Sequence, residues 1–290
     1  MAVLLFLTLS ALMQFDGAHN REYTRMVMQQ LFRNPRVPSF ESRQHLWALL
    51  NQENLTSGVE IGVERGITSQ LTLSIWTSCR VYTLVDAWAF NAGGKETGHL
   101  DHYAKTGHSQ AAHNEKFNIA MRQKIQRASC TQSFAGARLH EQCGVRIDLC
   151  RNLSHICANQ YEDSSFDYIF VDALHDRKAV LRDLRMWWPK LKIGGIMAGD
   201  DYFGAKETFQ LYPERWASVE EVARTHPYRL NYDGSIDRSG RFAKGAADDF
   251  FGCIVDGEDE RQVPDLLSCP HLRIPTVVVT RDERTFAVRK

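Results

Sequence analysis

Phe166-Asp-Tyr-Ile-Phe-Val-Asp-Ala-Leu-His175 and Gly194-Gly-Ile-Met-Ala-Gly-Asp-Asp-Tyr202 are the stretches that decide how this chain folds. Two short apolar runs, Tyr168–Val171 and Ile193–Ala198, each end in acidic residues, and a stretch of helical period lies between them. Short apolar runs that alternate with helical stretches predict βαβ units and a parallel sheet. The carboxyl ends of neighbouring parallel strands face one crevice, where ligands of open α/β folds bind.

Three acidic residues are predicted to meet in that crevice. Asp172 follows the first run, and Asp200 and Asp201 follow the second. Three carboxylates in one crevice repel each other unless a cation or a proton joins them. Their hard oxygen ligands suit Mg²⁺, Mn²⁺ or Ca²⁺, so we predict a divalent-metal site. The alternative for the Asp-Asp pair is a helix cap or a solvated turn.

The same alternation of strands and helices extends through most of the chain. Strands are predicted at Gly58–Val63, Val81–Val85, Val145–Leu149, Tyr168–Val171 and Ile193–Ala198. Helices are predicted from about Ser69 to Thr77, from about Lys178 to Trp187, and over Ala246–Ile254. The final segments Thr276–Thr280 and Thr285–Arg289 predict a β-hairpin that closes the sheet.

The domain organisation follows from shifts in composition. Residues 1–18 contain the uncharged run Val3–Met13, which is too short to span a bilayer but fits a signal-peptide core or an uncleaved anchor. Residues 19–55 form a helical lead-in, and residues 56–290 form the main domain with an insertion at about 212–241. We expect the secretory pathway or secretion, with the cytoplasm as the alternative.

The charge of the chain limits the classes of binding partner, and its cysteines bear on the compartment in which it folds. The chain has 35 basic and 35 acidic residues, so it offers no electrostatic case for nucleic acid, and a membrane contact is expected only through an N-terminal anchor. Four of the seven cysteines lie between 130 and 157, where they form disulfides in an oxidising lumen or serve as small buried side chains. Asn54-Leu-Thr56 and Asn152-Leu-Ser154 are glycosylation sequons if the chain is secreted. The oligomeric state is left open.

The first strand-to-helix turn, Val59-Glu-Ile-Gly-Val-Glu-Arg-Gly66, predicts a cofactor site. Gly62 and Gly66 allow a tight turn, while the missing third glycine of a dinucleotide fingerprint argues against NAD or FAD. Glu60 suits a cationic amine. Asp86, at the end of the second strand, is placed for both ribose hydroxyls or caps the following segment. A nucleoside with a positively charged appendage and no phosphate fits this set, as in S-adenosylmethionine.

The motifs above resemble those of the class I S-adenosylmethionine-dependent methyltransferases. More narrowly, the chain is similar to the metal-dependent O-methyltransferases of the macrocin type, which act on sugar hydroxyls in antibiotic biosynthesis. The resemblance runs from about Gly58 to Tyr202. It implies a Rossmann-like α/β fold: a mostly parallel seven-stranded sheet with helices on both faces and a C-terminal antiparallel hairpin.

The resemblance also assigns roles to residues. It implies that Asp172, Asp200 and Asp201 hold Mg²⁺ or Mn²⁺ and that His175 serves as the base. The residues expected to bind S-adenosylmethionine are Glu60, Gly62, Gly66, Ser69 and Asp86. The chain departs from the family pattern in its 212–241 segment and in Phe286, which stands where a tryptophan is usual.

The expected reaction is metal-dependent O-methylation of a hydroxyl on a sugar, a glycan or a small molecule. Two alternatives stay open: a methyltransferase that uses no metal, and an inactive cofactor-binding chain that serves as a partner subunit. A nicotinamide dehydrogenase is disfavoured by the missing glycine.

Overall fold

A computed structural model describes Val37, residues 42–87, Gln123, Ile125, residues 144–251, the backbone of 278–279, and residues 284–290. The described α-helices are α1 Arg43–Gln52, α2 Ile67–Ile75, α3 Ser154–Ala158, α4 Arg177–Trp187, α5 Ala205–Leu211, α6 Val219–Thr225 and α7 Phe242–Phe251. The described strands are β1 Ser57–Ile61, β2 Val81–Val85, β3 Arg146–Cys150, β4 Phe166–Val171, β5 Leu191–Gly199, β6 Val278–Val279 and β7 Phe286–Arg289. The expected segments of residues 1–18, and most of the lead-in, lie outside the described residues.

A seven-stranded sheet with the order β3-β2-β1-β4-β5-β7-β6 organises the described chain. Strands β1 to β5 pair in parallel, while β7 is antiparallel to both of its neighbours, β5 and β6. The chain order reverses at β1, because β2 lies on one side of it and β4 on the other. The predicted fold is therefore confirmed, including the antiparallel strand pair at the C-terminal end.

Helices cover both faces of the sheet. On one face, β-strand side chains such as Tyr82 and Phe170 pack against Leu46 of α1 and Leu73 of α2. On the other face, the strands pack against α4 and α7, and Trp187 of α4 is fully buried there. Burying a large apolar side chain contributes about 1.5–3 kcal/mol, so these two layers hold the sheet between them.

The segment 212–241 has structure of its own. It contains α6 and a 3₁₀ turn at Pro227–Arg229. Val222 of α6 is fully buried and forms a small cluster with Phe242 at the start of α7. This packing fixes the segment beside the carboxyl ends of the strands. None of the described helices is both long enough and apolar enough to cross a lipid bilayer.

The first strand ends at Ile61, two residues before its predicted end, because Gly62 turns the chain with φ +90°. A side chain at this position would also collide with its neighbour, since an added Cβ would lie 2.0 Å from the carbonyl oxygen of Asp172. Gly62 thus allows the loops that follow β1 and β4 to touch.

We expect Gly62→Ala to destabilise the fold more than Gly234→Ala does, by about 2 kcal/mol or more. Both glycines have a positive φ, but a Cβ at Gly234 would meet nothing within 4 Å. The difference between the two losses in free energy of unfolding therefore separates the effect of the contact with Asp172 from that of backbone strain. Urea unfolding followed by tryptophan fluorescence measures it, and equal losses for the two variants would contradict the role given to Gly62.

Candidate active site

The register of the parallel strands brings the predicted acidic residues to one edge of the sheet. Val171 pairs with Gly199, so Asp172 and Asp200 directly follow paired positions. The backbone N–H of Asp200 donates to the carbonyl of Val171 at 3.0 Å, and the N–H of Asp172 donates to the carbonyl of Ile61 at 2.8 Å. The hydrogen bonds between strands thus continue one residue past the strand ends and hold both aspartates side by side.

His175 lies between two of the three predicted carboxylates. Its Nε2 is 3.3 Å from Oδ1 of Asp172, and its Nδ1 is 2.7 Å from Oδ2 of Asp201. Asp201, the second residue after β5, has a left-handed backbone with φ 54°, and its carboxylate faces the histidine. His175 therefore contacts two of the three residues predicted to bind metal.

The fourth, Asp200, is paired with a residue that the sequence analysis missed. A guanidinium nitrogen of Arg43, the first residue of α1, is 2.6 Å from Oδ1 of Asp200. The Nε of Arg43 also donates to Oγ1 of Thr285 at 2.9 Å. Arg43 lies in the helical lead-in, and no local motif marks it as a site residue.

Burial and pairing shift the pKa values of these groups in different directions. Burial raises the pKa of Asp172, and burial together with the Asp172 charge raises the pKa of Asp200 to about 7. Burial opposes ionisation of His175, but the carboxylates of Asp172 and Asp201 outweigh it and raise the pKa of His175 well above 6.5. Asp201 is the exception among the three carboxyls, because its contact with His175 lowers its pKa, and the histidine is held as a cation.

The donor chemistry of the three aspartates fits a hard divalent cation, because all their ligand atoms are carboxylate oxygens. Across the described ranges, however, no group of three or more His, Cys, Asp and Glu side chains is spaced as a metal site. His175 and Arg43 stand against these carboxylates instead. The metal site stays a prediction.

The predicted cofactor end lies at the neighbouring strands β1 and β2. Glu60 is fully buried on β1, and its Oε2 accepts hydrogen bonds from Ser69 of α2 at 2.7 Å and from Tyr82 at 3.0 Å. Its other oxygen, Oε1, has no hydrogen-bond partner among the residues that the structure describes. A buried acceptor of this kind favours a ligand that donates hydrogen bonds or carries positive charge.

Asp86 holds the glycine turn against the end of β2. Its Oδ2 accepts hydrogen bonds from the backbone N–H groups of Val63 at 3.0 Å and Glu64 at 2.8 Å. Gly66, with φ 69°, then starts α2. The structure therefore places Glu60, Gly62, Gly66, Ser69 and Asp86 around one turn, and their role in cofactor binding stays a prediction. It also gives Asp86 a structural contact that sequence reasoning did not foresee.

Tyr228 is a second residue that sequence reasoning missed. Its hydroxyl oxygen lies 2.8 Å from Nδ1 of His175 and 3.3 Å from Oδ2 of Asp201. Tyr228 comes from the 3₁₀ turn of the 212–241 segment, which the sequence pattern indicates only as an insertion. A tyrosine among mixed charges and prolines gives no sequence signal of such a contact.

The sequence model of a family described as a methyltransferase domain matches residues 59–202. Every predicted site residue lies inside this range, whereas Arg43 and Tyr228 lie outside it. No curated protein matches the chain in sequence.

Two solved structures are similar at low sequence identity. Cofactor-bound Rv0187 from MTB is 12% identical, with 98% of this chain and 95% of that chain covered and a TM-score of 0.44. The O-methyltransferase from Bacillus cereus in complex with SAH is 14% identical, with 92% of this chain and 90% of that chain covered and a TM-score of 0.42.

We expect Glu60→Gln to remove a pH-dependent loss of stability. Burial raises the pKa of Glu60 from 4.5 to about 8, so between these values the folded protein keeps a proton that the unfolded chain releases. Stability therefore falls as pH rises from about 5 to about 8. At 1.36 kcal/mol per pKa unit, the difference between the variant and wild type grows by at most roughly 5 kcal/mol over this range.

Urea unfolding at pH 5, 6.5 and 8 measures this difference. Glu162→Gln, at an exposed glutamate ahead of β4, serves as the matched control and is expected to follow wild type. A Glu60→Gln variant that loses stability in parallel with wild type would contradict a buried, proton-retaining carboxyl.

Proposed function

We propose that this chain, an S-adenosylmethionine-dependent methyltransferase, methylates a hydroxyl oxygen of a sugar, a glycan or another small molecule. The observation that supports this proposal is the cluster of Asp172, His175, Asp200 and Asp201 at the carboxyl ends of β4 and β5. It lies on the same sheet edge as the glycine turn after β1. A methyl donor and a hydroxyl that must lose its proton need such neighbouring sites.

The donor end is proposed to act through Glu60 and Asp86. The buried Oε1 of Glu60 suits an ammonium group, and a cation there would favour the ionised carboxylate that burial now disfavours. Asp86 follows β2, where an acidic side chain is suited to ribose hydroxyls. S-adenosylmethionine supplies a methyl group on a sulfonium and leaves as S-adenosylhomocysteine.

In the transfer step, the acceptor oxygen bonds to the methyl carbon while the sulfur–carbon bond breaks and its electron pair stays on sulfur. The hydroxyl proton is proposed to pass to His175, which can take it only when one ring nitrogen is unprotonated. Alignment of the two substrates and general-base help each lower the barrier, the latter typically by about 10²–10⁴-fold in rate.

We extend the proposal to a divalent cation, Mg²⁺ or Mn²⁺, held by Asp172, Asp200 and Asp201, as in the macrocin-type enzymes that the sequence resembles. Such a cation would stabilise the acceptor alkoxide and would neutralise the charges that now favour protonated His175.

A second candidate is a methyltransferase that works without metal. It is favoured by the ion pair between Arg43 and Asp200 and by the position of His175 between Asp172 and Asp201. In this candidate the two cationic side chains take the place of the metal charge, and the aspartates orient the acceptor.

An inactive partner subunit would bind S-adenosylhomocysteine but release none with any acceptor.

We also propose an oxidising compartment of the secretory pathway. Cys150 at the end of β3 and Cys157 of α3 form a disulfide, which is rare in reducing compartments. Both sequon asparagines, Asn54 and Asn152, are exposed. In a eukaryotic secretory host, glycosidase treatment should shift the mobility of wild type, and Asn54→Gln and Asn152→Gln should each remove one step of that shift. A chain that is unmodified and carries free thiols at Cys150 and Cys157 would contradict this compartment.

The acceptor is identified by mass spectrometry. Wild-type protein is incubated with labelled methyl donor and with separate glycan and small-molecule extracts, and the labelled products are sequenced or fragmented. A product labelled at carbon or nitrogen, or no product in either extract, would contradict O-methylation.

Metal removal distinguishes the two candidate mechanisms. If the metal-dependent one holds, chelator-treated enzyme should lose about 100-fold or more in turnover and regain it with Mg²⁺ or Mn²⁺. Asp172→Asn should abolish Mn²⁺ binding measured by electron paramagnetic resonance. Asp163→Asn, at an aspartate paired with Lys190 outside the crevice, should not. Full turnover after chelation would instead support the metal-independent candidate.

His175→Gln should lower kcat by about 10²–10⁴-fold while leaving S-adenosylhomocysteine binding within a factor of two. The control His45→Gln changes an exposed histidine of α1 and should keep wild-type turnover. Calorimetric titration and methyl-transfer kinetics make the comparison. A His175→Gln enzyme with wild-type kcat would exclude His175 as the base.

A further inference from the structure

We infer that Tyr228 is a positioning residue that holds the imidazole ring of His175 in the orientation needed for the proposed methyl transfer, an inference that rests on the proposed function. Three polar atoms meet at this point. Nδ1 of His175 lies 2.8 Å from the Tyr228 hydroxyl and 2.7 Å from Oδ2 of Asp201, and the hydroxyl lies 3.3 Å from the same Oδ2.

The directions of these hydrogen bonds follow from the chemistry of the groups. A carboxylate only accepts, so the tyrosine hydroxyl donates its one hydrogen to Asp201. The hydroxyl oxygen then accepts, and the partner it faces is the N–H at Nδ1 of His175. The hydrogen bond to Tyr228 therefore fixes the orientation of the imidazole ring, with Nε2 facing Oδ1 of Asp172 at 3.3 Å.

The Tyr228 hydroxyl differs from the Asp201 carboxylate as a hydrogen-bond partner of His175. In the proposed metal-dependent reaction, Asp172 and Asp201 are committed to the cation, whereas the tyrosine hydroxyl is not. Of the three described oxygens that contact His175, the one from Tyr228 is therefore the partner that remains. The logic matches that of catalytic histidines whose second nitrogen is oriented by a neighbouring acceptor.

The ring of Tyr228 is held on several sides. It lies edge-on to His175 at 5.1 Å between centroids and edge-on to His226 at 4.8 Å. It also stacks with Phe203 at 6.1 Å, and Phe203 directly follows the Asp201-Tyr202 pair. These contacts leave the hydroxyl little freedom to leave His175.

The following residues tie the same segment to α4, the helix that begins two residues after His175. Asn231 accepts a hydrogen bond from the backbone N–H of Lys178 at 3.2 Å, and Lys178 pairs with Asp233 at 2.6 Å. The guanidinium of Arg182 lies over the ring of Tyr232 at 4.2 Å. Tyr228 and His175 thus sit on elements that are fastened to each other, which suits a fixed hydrogen bond.

Tyr228→Phe tests the hydroxyl alone, because the ring and its contacts stay. The exposed Tyr212 belongs to the same segment, so Tyr212→Phe is the matched control. With an acceptor in hand, we expect kcat of Tyr228→Phe to fall about 10-fold or more while the KM values for donor and acceptor change less than twofold. The double variant with His175→Gln should be no slower than His175→Gln alone, since the two residues act as one unit.

A readout that needs no acceptor separates this inference from the proposed function. Nuclear magnetic resonance of protein labelled with [¹⁵N]histidine, with His175 assigned through His175→Gln, reports the hydrogen bonding of each ring nitrogen of His175. Both ring resonances of His175 should move in Tyr228→Phe and stay in Tyr212→Phe. Unmoved resonances would overturn the inference even if the enzyme is active, and so would additive losses in the double variant. A wild type without methyl transfer would overturn the proposed function while the resonances still decide the role of Tyr228.

Discussion

The parallel register of β1, β4 and β5 is the constraint on which the candidate site depends. Paired strand ends place Asp172 and Asp200 side by side and place both next to the glycine turn. The two carboxylates are then partly removed from water, and repulsion between like charges is stronger there than in water. The fold therefore has to supply positive charge at this edge, and in the described structure His175 and Arg43 do so.

The groups that complete the edge come from outside the matched methyltransferase domain. Arg43 belongs to α1 ahead of it, and Tyr228 and Thr285 belong to the chain beyond residue 202. The domain itself contributes the acidic residues, the histidine and the glycine turn. In the proposed reaction, a division of this kind would let the donor end stay fixed while flanking segments set the surroundings of the acceptor.

Sequence patterns predicted the features that depend on residues close together in the chain. The strands follow from apolar runs, and Asp172 and Asp200 follow from their positions just after strands, whereas the family resemblance assigns the role of His175. Patterns could not predict Arg43 or Tyr228, whose partners lie 157 and 53 residues away along the chain. Such contacts are decided by how helices and turns pack on the finished sheet. The early end of β1 shows the same limit, because it depends on how closely the backbone passes Asp172.

The observed contacts and the proposed reaction require opposite protonation states of His175. As a counter-charge between Asp172 and Asp201 it is stabilised in its protonated form, and a protonated imidazole cannot accept a proton. The two roles agree only if the carboxylates find another positive partner when substrates are bound. Arg43 already provides a positive partner for Asp200, so Asp172 and Asp201 are the two carboxylates that need another one. The charge balance at these two residues therefore decides whether the histidine is a base or only a structural cation.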